Sequence, residues 1–373
     1  MTVLLEGARI VTPTRVLDPG WVEVAGDRIA AVGPGGTSTG LTVVPGFVDI
    51  HVHGGGGASF LSANPDEAAR AVAFHRRRGT TTTLASLVTA PLDILGRQLS
   101  ALADLCTDGL LAGIHLEGPW LNSVRRGAHD PAFLRPPALP DVRRLLAAGG
   151  SALRMVTLAP ELDGGLDAVR AVVAAGAVAA VGHTDATYEV ARASIDAGAR
   201  LGTHLFNGMR PVHHREPGPV VALLEDDRVA VELVNDGTHL HPAIVRGVVA
   251  AIGPDRVALV TDAIAGAGMG DGEYELGGLR VRVSGGVARL ASTGSIAGST
   301  LTMDAAFRRA VVDAGLPLEV AARLTSSRPA RMLGLDDVGA IEPGRRADLV
   351  VLDEKLEVVG VMARGAWVDG SPR

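Results

Sequence analysis

The sequence predicts an α/β protein: a (β/α)8 TIM-like barrel with a small β-sandwich domain formed by both chain termini. Three observations lead there. Eight short apolar runs alternate with alanine-rich helical stretches through the middle of the chain. The two ends read instead as short strands and turns. And in six of the eight units a His, Glu or Asp stands at or just past the end of the apolar run, the place where barrel enzymes carry their chemistry.

The elements can be taken in order. "VLLEGARIVTP" and "WVEVAGDRIAAVG" open the chain as strands, followed by a Gly/Pro-rich connector. The barrel strands are then "VVPGFVDIHVH", "TTTLASLVT", "LLAGIHLEGP", "LRMVTLAP", "AVAAVGHT", "RLGTHLF", "VAVELVNDGTHL" and "RVALVTDA". Parallel barrel strands are buried on both faces, so near-continuous apolar runs are expected rather than alternation. Helices are predicted at Pro65–Arg78, Asp141–Ala148, Leu166–Ala175 and Glu189–Ala197. "YELGGLRVRVSGGVARLAS" predicts a β-hairpin inserted near 273–291, after the eighth strand. "GAIEPGRRADLVVLDEKLEVVGVMARGAWVDG" closes the chain as strands that pair with those of the start. The expected domains are thus 1–44 with 338–373, and a barrel over 45–337.

Composition narrows the function. With 47% hydrophobic residues the 373-residue chain can bury a large core, and 20% charged residues suit a globular surface. A net charge of -6 argues against a nucleic-acid or anionic-membrane surface. The single Cys106 cannot form an internal disulfide, and neither a signal peptide nor a membrane-length apolar run is visible, so a cytoplasmic protein is expected.

The chemistry is carried by His51 and His53, Glu117, His183, His204, His239 and Asp262. A lone histidine at a strand end is usually a hydrogen-bonded structural residue. This many at corresponding strand ends converge on one face and form a His/carboxylate ring. Imidazole with carboxylate, and no thiolate, suits Zn or another divalent metal such as Fe, Mn, Co or Cd. The "HVH" pair points both rings to one side, because side chains on a strand repeat every two residues. Metal-bound water becomes a nucleophile near neutral pH, and Asp262 is the candidate general base and acid. The only lysine is Lys355, outside the barrel, so a carboxylated lysine cannot bridge two metals here. Glu117 is the best candidate for that place. The run "HGGGG" lacks the strand–GxGxxG–helix context of a phosphate loop. Its few side chains are expected instead to leave room for a substrate.

"HLEGPWLN", "GHT", "GTHLFNGM", "REPG", "DGTHL", "LVTDA" and "GSTLTM" occur in this order. Together they resemble the N-acetylglucosamine-6-phosphate deacetylases of the amidohydrolase superfamily, over nearly the whole chain. The resemblance implies metal ligands at Glu117, His183 and His204 and a catalytic Asp262. It implies substrate contacts at Ala128, Asn207, Gly208, Arg215, His239 and the Ile296, Ala297, Gly298 loop. It also implies an amino-sugar phosphate as substrate, and a homodimer in which a neighbouring subunit can contribute to the phosphate site. Some relatives lack one or both "HVH" histidines and work with a single metal, so one or two ions per chain remain open here. Arg215 is a planar donor fork suited to a phosphate or carboxylate, and His239 suits the acetyl oxygen. His129 is a weaker candidate near the substrate, while His75 with Arg76–Arg78 reads as the charged end of a helix. Two rivals stay open: a deacetylase of the galactosamine epimer or another amidohydrolase of cyclic or acyl amides, and, ranked lowest, a metal-free scaffold.

Overall fold

Residues 47–49 begin a cycle of eight parallel strands in the computed structural model, which describes residues 2–370. The barrel strands are Phe47–Asp49, Thr80–Leu87, Gly113–Glu117, Leu153–Leu158, Val178–Val181, Leu201–Gly202, Ala230–Val234 and Val257–Val260, each hydrogen-bonded to the next. The first and eighth strands meet just beyond Asp49 and Val260. Asp262 N–H donates to His51 O (2.8 Å) and His53 N–H to Ala263 O (2.8 Å), while the buried Asp49 carboxylate accepts from Thr261 Oγ1 (2.5 Å). These bonds close the barrel.

Alternation within each strand sorts side chains between two cores. Val257 and Leu259 pack with the helical layer, whereas Ala258 and Val260 join Val48, Ile50, Leu84 and Met155 inside the barrel. The helices supply the matching stripe. Helix Leu92–Thr107 buries Leu92, Leu95, Leu99, Leu102 and Leu105, at helical spacing. The four predicted helices appear as Pro65–Arg77, Leu139–Gly149, Gly165–Ala174 and Tyr188–Asp196. Asn64 caps the first of these by accepting from Asp66 N and Glu67 N, with Pro65 in the first turn. Among the described residues no helix is long and apolar enough to cross a membrane.

The chain ends build one continuous sheet of seven strands. Thr2–Val11, Val16–Ala25, Arg28–Pro34 and Thr42–Pro45 meet Leu349–Leu352, Val358–Ala363 and Ala366–Trp367, with Thr42–Pro45 pairing directly to Leu349–Leu352. Ile29 N–H donates to Arg345 O and Ala347 N–H to Asp27 O (2.9 and 2.7 Å), so the sheet folds back on itself. Ile10, Val22, Val24, Leu349, Val351 and Met362 fill the space enclosed.

Two expectations are corrected. The insertion after the eighth strand is a three-stranded antiparallel sheet rather than a two-stranded hairpin: Gly272–Leu276, Leu279–Ser284 and Val287–Leu290. The glycine run after "HVH" makes no roomy wall. Gly54, Gly56 and Gly57 hydrogen-bond the backbone of Ala263, Ala267 and Ala265. A Cβ on Gly55 would lie 2.5 Å from His75 Nε2 and 2.7 Å from Phe74. Glycine is needed there for close approach of backbone to helix. His75 is accordingly buried, donating to Gly54 O at 2.9 Å, and burial lowers its pKa, while it shares the basic last turn of its helix with Arg76 and Arg77 as expected.

Candidate active site

The strand ends deliver their polar residues to one cavity of about 270 Å3. Glu117 ends the third strand. His183, His204 and Asp262 each lie two residues beyond the fifth, sixth and eighth. All three of the latter have positive φ, at 47°, 28° and 51°. Non-glycine residues in that region are strained, and such strain persists where the surroundings over-determine it. Here it turns each side chain off its strand and toward the barrel axis.

Glu117 divides its two oxygens between two groups. Oε1 lies 3.1 Å from both His183 Nε2 and His204 Nε2, which are 3.0 Å apart. Oε2 faces His51 Nε2 (3.6 Å) and His53 Nε2 (3.5 Å), themselves 3.3 Å apart. Asp262 Oδ1 closes the second group at 3.1 Å from His53 and 3.6 Å from His51. Donors about 2.0–2.1 Å from a tetrahedral zinc ion lie about 3.3 Å from one another. The edges of both groups match that figure.

The far side of each ring explains why the Nε2 atoms converge. His183 Nδ1 donates to Arg125 O (2.8 Å), His53 Nδ1 to Ser86 O (3.1 Å) and His51 Nδ1 to Glu232 Oε2 (3.0 Å). These partners only accept, so in the neutral ring the proton sits on Nδ1 and the Nε2 lone pair is free. Lone pairs held this close repel unless a cation lies between them. Electrostatics agrees. Burial opposes charge on His51, but Glu117, Glu232 and Asp262 outweigh it and raise its pKa well above the ordinary value. Burial likewise favours a neutral Glu117 and a neutral Asp262. The surrounding histidines reverse this and hold both carboxyls far below the usual range, as anions.

Around these groups the cavity wall contains Ala128, Asn207, Gly208, His239, Ile296 and Gly298, bringing most of the predicted substrate contacts together. Asn207 uses its amide donors on His204 O (3.2 Å) and Leu205 O (3.3 Å), bracing the strained turn. His239 Nδ1 donates to Asp236 Oδ2 at 2.7 Å, leaving Nε2 for the cavity. Ser299 N–H donates to Asp262 O (2.7 Å), so the 296–299 loop anchors the backbone of the aspartate.

Two residues fall elsewhere. Ala297 turns into the small core beneath the three-stranded sheet, and Arg215 sits on an exposed loop beside His214 (2.9 Å), outside the cavity. Among the described residues the wall contains neither Arg nor Lys. His129 does belong to the wall. Its Nε2 is 3.5 Å from Glu117 Oε2 and its Nδ1 pairs with Thr89 Oγ1 at 2.9 Å; burial pushes its pKa down to about 4. Val88 and Leu276 supply apolar surface that no sequence signal marked.

Such a ring of imidazoles and carboxylates at the C-terminal rim of a parallel barrel defines a metal-dependent hydrolase. The chain belongs to the amidohydrolase family, whose model matches residues 42–368. Within that class it is similar to amino-sugar-phosphate deacetylases. It is 53% identical to an N-acetyl-D-glucosamine-6-phosphate deacetylase from Mycobacterium smegmatis, solved as an aspartate-to-alanine variant in complex with N-acetyl-D-glucosamine-6-phosphate. That alignment covers 98% of this chain and 99% of the other, with a TM-score of 0.96. The Thermotoga maritima N-acetylglucosamine-6-phosphate deacetylase is 35% identical over 98% and 99% of the two chains, with a TM-score of 0.91. An N-acetylgalactosamine-6-phosphate deacetylase of Escherichia coli O157:H7 is 38% identical over 99% of both chains.

Proposed function

We propose that this protein hydrolyses the acetamide of N-acetyl-D-glucosamine 6-phosphate, giving D-glucosamine 6-phosphate and acetate. The observation that carries the reading is the Glu117 carboxylate shared between two histidine pairs with Asp262 beside one of them, in a chain that aligns with such a deacetylase over nearly its full length. We assign the chemistry to residues 45–337, the terminal sheet acting as support.

Glu117, His183 and His204 would hold one divalent ion, most readily zinc, and His51, His53 and Glu117 a second. Such an ion activates water and polarises the amide carbonyl. The chain's own residues do the rest. Asp262, ionised, accepts a proton from the attacking water. His239 donates from Nε2 to the carbonyl oxygen as negative charge gathers there. When the C–N bond breaks, Asp262 returns its proton to the leaving amine, so water supplies both the new acid oxygen and the amine hydrogen. The wall, lacking Arg and Lys, leaves the phosphate needing a cation from outside. Arg215 of a second copy fits that need, which supports a homodimer. The single cysteine supports a cytoplasmic setting.

The similarity to a galactosamine-epimer deacetylase gives a second reading of the substrate. Acetate release from the two epimeric 6-phosphates and from unphosphorylated N-acetylglucosamine, measured with metal content per chain, tests both. Faster turnover of the galactosamine epimer would shift the assignment. Equal turnover of the unphosphorylated sugar would remove the phosphate from it.

A further inference from the structure

Glu232 is the middle residue of the seventh barrel strand, Ala230–Val234, and both the residue and its side chain are 0% exposed. Burying a carboxylate so completely is costly unless its partners justify it. One oxygen has two partners and the other has none. Oε2 accepts from His51 Nδ1 at 3.0 Å and from the backbone N–H of His204 at 3.2 Å; Oε1 is unpartnered. His51 and His204 belong to different candidate metal groups. Among the described residues His204 Nδ1 also has no hydrogen-bond partner, so no such bond grips its ring from behind. Its place depends on a backbone held at a φ of 28°, and the Glu232 side chain and main chain secure that turn, the latter accepting from Leu205 N at 2.8 Å.

We infer that Glu232 is a positioning residue that couples the two candidate metal positions, holding the His51 ring in the tautomer that offers Nε2 and fixing the backbone from which His204 reaches the other group. A neutral, apolar side chain in this strand would satisfy barrel packing equally well and would do neither. Outer carboxylates of this kind typically alter metal affinity by about 10- to 100-fold. Glu232 is unusual in lying behind both positions with one oxygen. This inference rests on the reading that both groups bind metal.

The test is a Zn2+ titration of the metal-stripped full chain against a chromophoric chelator, for wild type, Glu232→Gln, Glu232→Ala and His51→Ala, with thermal melts of the metal-free proteins. Glu232→Gln keeps shape and one acceptor but loses the charge, so it decides the matter if Glu232→Ala fails to fold. It is expected to weaken zinc at both positions by about tenfold, whereas His51→Ala should affect one position only. Unchanged affinities in Glu232→Gln would overturn the inference. So would weakening confined to the His51 position, or a lowered melting temperature with metal binding intact. Wild type that binds no zinc would instead overturn the metal reading itself.

Discussion

Replacing Gly208 by alanine should damage the site through one methyl group. Gly208 has a φ of +60°, and a Cβ built there lies 2.8 Å from His183 Nδ1 and 3.2 Å from Arg125 O. Those two atoms are bonded to each other at 2.8 Å. Alanine in this left-handed conformation costs about 1–2 kcal/mol. Ordinary contact needs about 3.5 Å, so the ring must retreat by about 0.7 Å. That stretches the bond to Arg125 beyond hydrogen-bond range and costs about 1 kcal/mol more. The larger consequence is at Nε2, because metal bond lengths tolerate errors of only about 0.2 Å. Zinc affinity at the Glu117–His183–His204 group should fall by about 10- to 100-fold, as when an outer partner of a ligand is lost. Gly285→Ala is the control: φ is +57° there, and nothing lies within 4 Å of its Cβ. It should cost about 1 kcal/mol of stability, at the lower end of the left-handed penalty, with zinc binding untouched. Chelator competition and thermal melting read both effects. Wild-type zinc affinity in Gly208→Ala would refute the claim that this glycine sets the His183 ring.

Asp262→Asn keeps shape but removes the proton acceptor, and turnover should fall by about 10²- to 10⁴-fold with substrate binding retained; near-normal turnover would sink the mechanism. Arg215→Ala should raise KM by roughly 10- to 100-fold at nearly constant kcat, the loss of a charged hydrogen bond, and an unchanged KM would remove the residue from phosphate binding. The pH profile tests His239. Burial lowers its pKa, but the Asp236 carboxylate at 2.7 Å outweighs burial and raises it above the ordinary 6.5. The pair's stabilisation is therefore complete below about 6.5 and is lost as pH rises through the raised value. Asp236→Asn should move the alkaline limb of kcat/KM to lower pH, and a limb that stays in place would exclude a role for protonated His239.

The ring of candidate ligands was legible because histidine and carboxylate are out of place at the end of apolar runs. Two-residue spacing placed the "HVH" pair correctly, although both histidines lie past the last paired residue of their strand. Glu232 was not legible: inside "VAVELVND" it reads as an ordinary charged residue, and only its partners, distant in sequence, reveal its task. The glycines after His53 were misread because a tight backbone contact and an open wall demand the same residue. Arg215 was expected at the substrate, yet it lies on an exposed loop outside the cavity, because the order of motifs along a chain does not fix where a loop points. Leu276 arrives in the cavity on a sheet whose third strand is four residues long, too short to separate from its turn by pattern alone.

The barrel closes where the chemistry is. The backbone hydrogen bonds joining the first and eighth strands run through His51, His53, Asp262 and Ala263, so the seam and the candidate site share residues, one through main chain and the other through side chains. Any breathing motion that parts those strands also carries the proposed base away from the histidines it serves. Durability and activity are thus not separable in this molecule. Stiffening the seam would sharpen the site, and relaxing it to admit a bulkier sugar would loosen the lock that keeps the barrel shut.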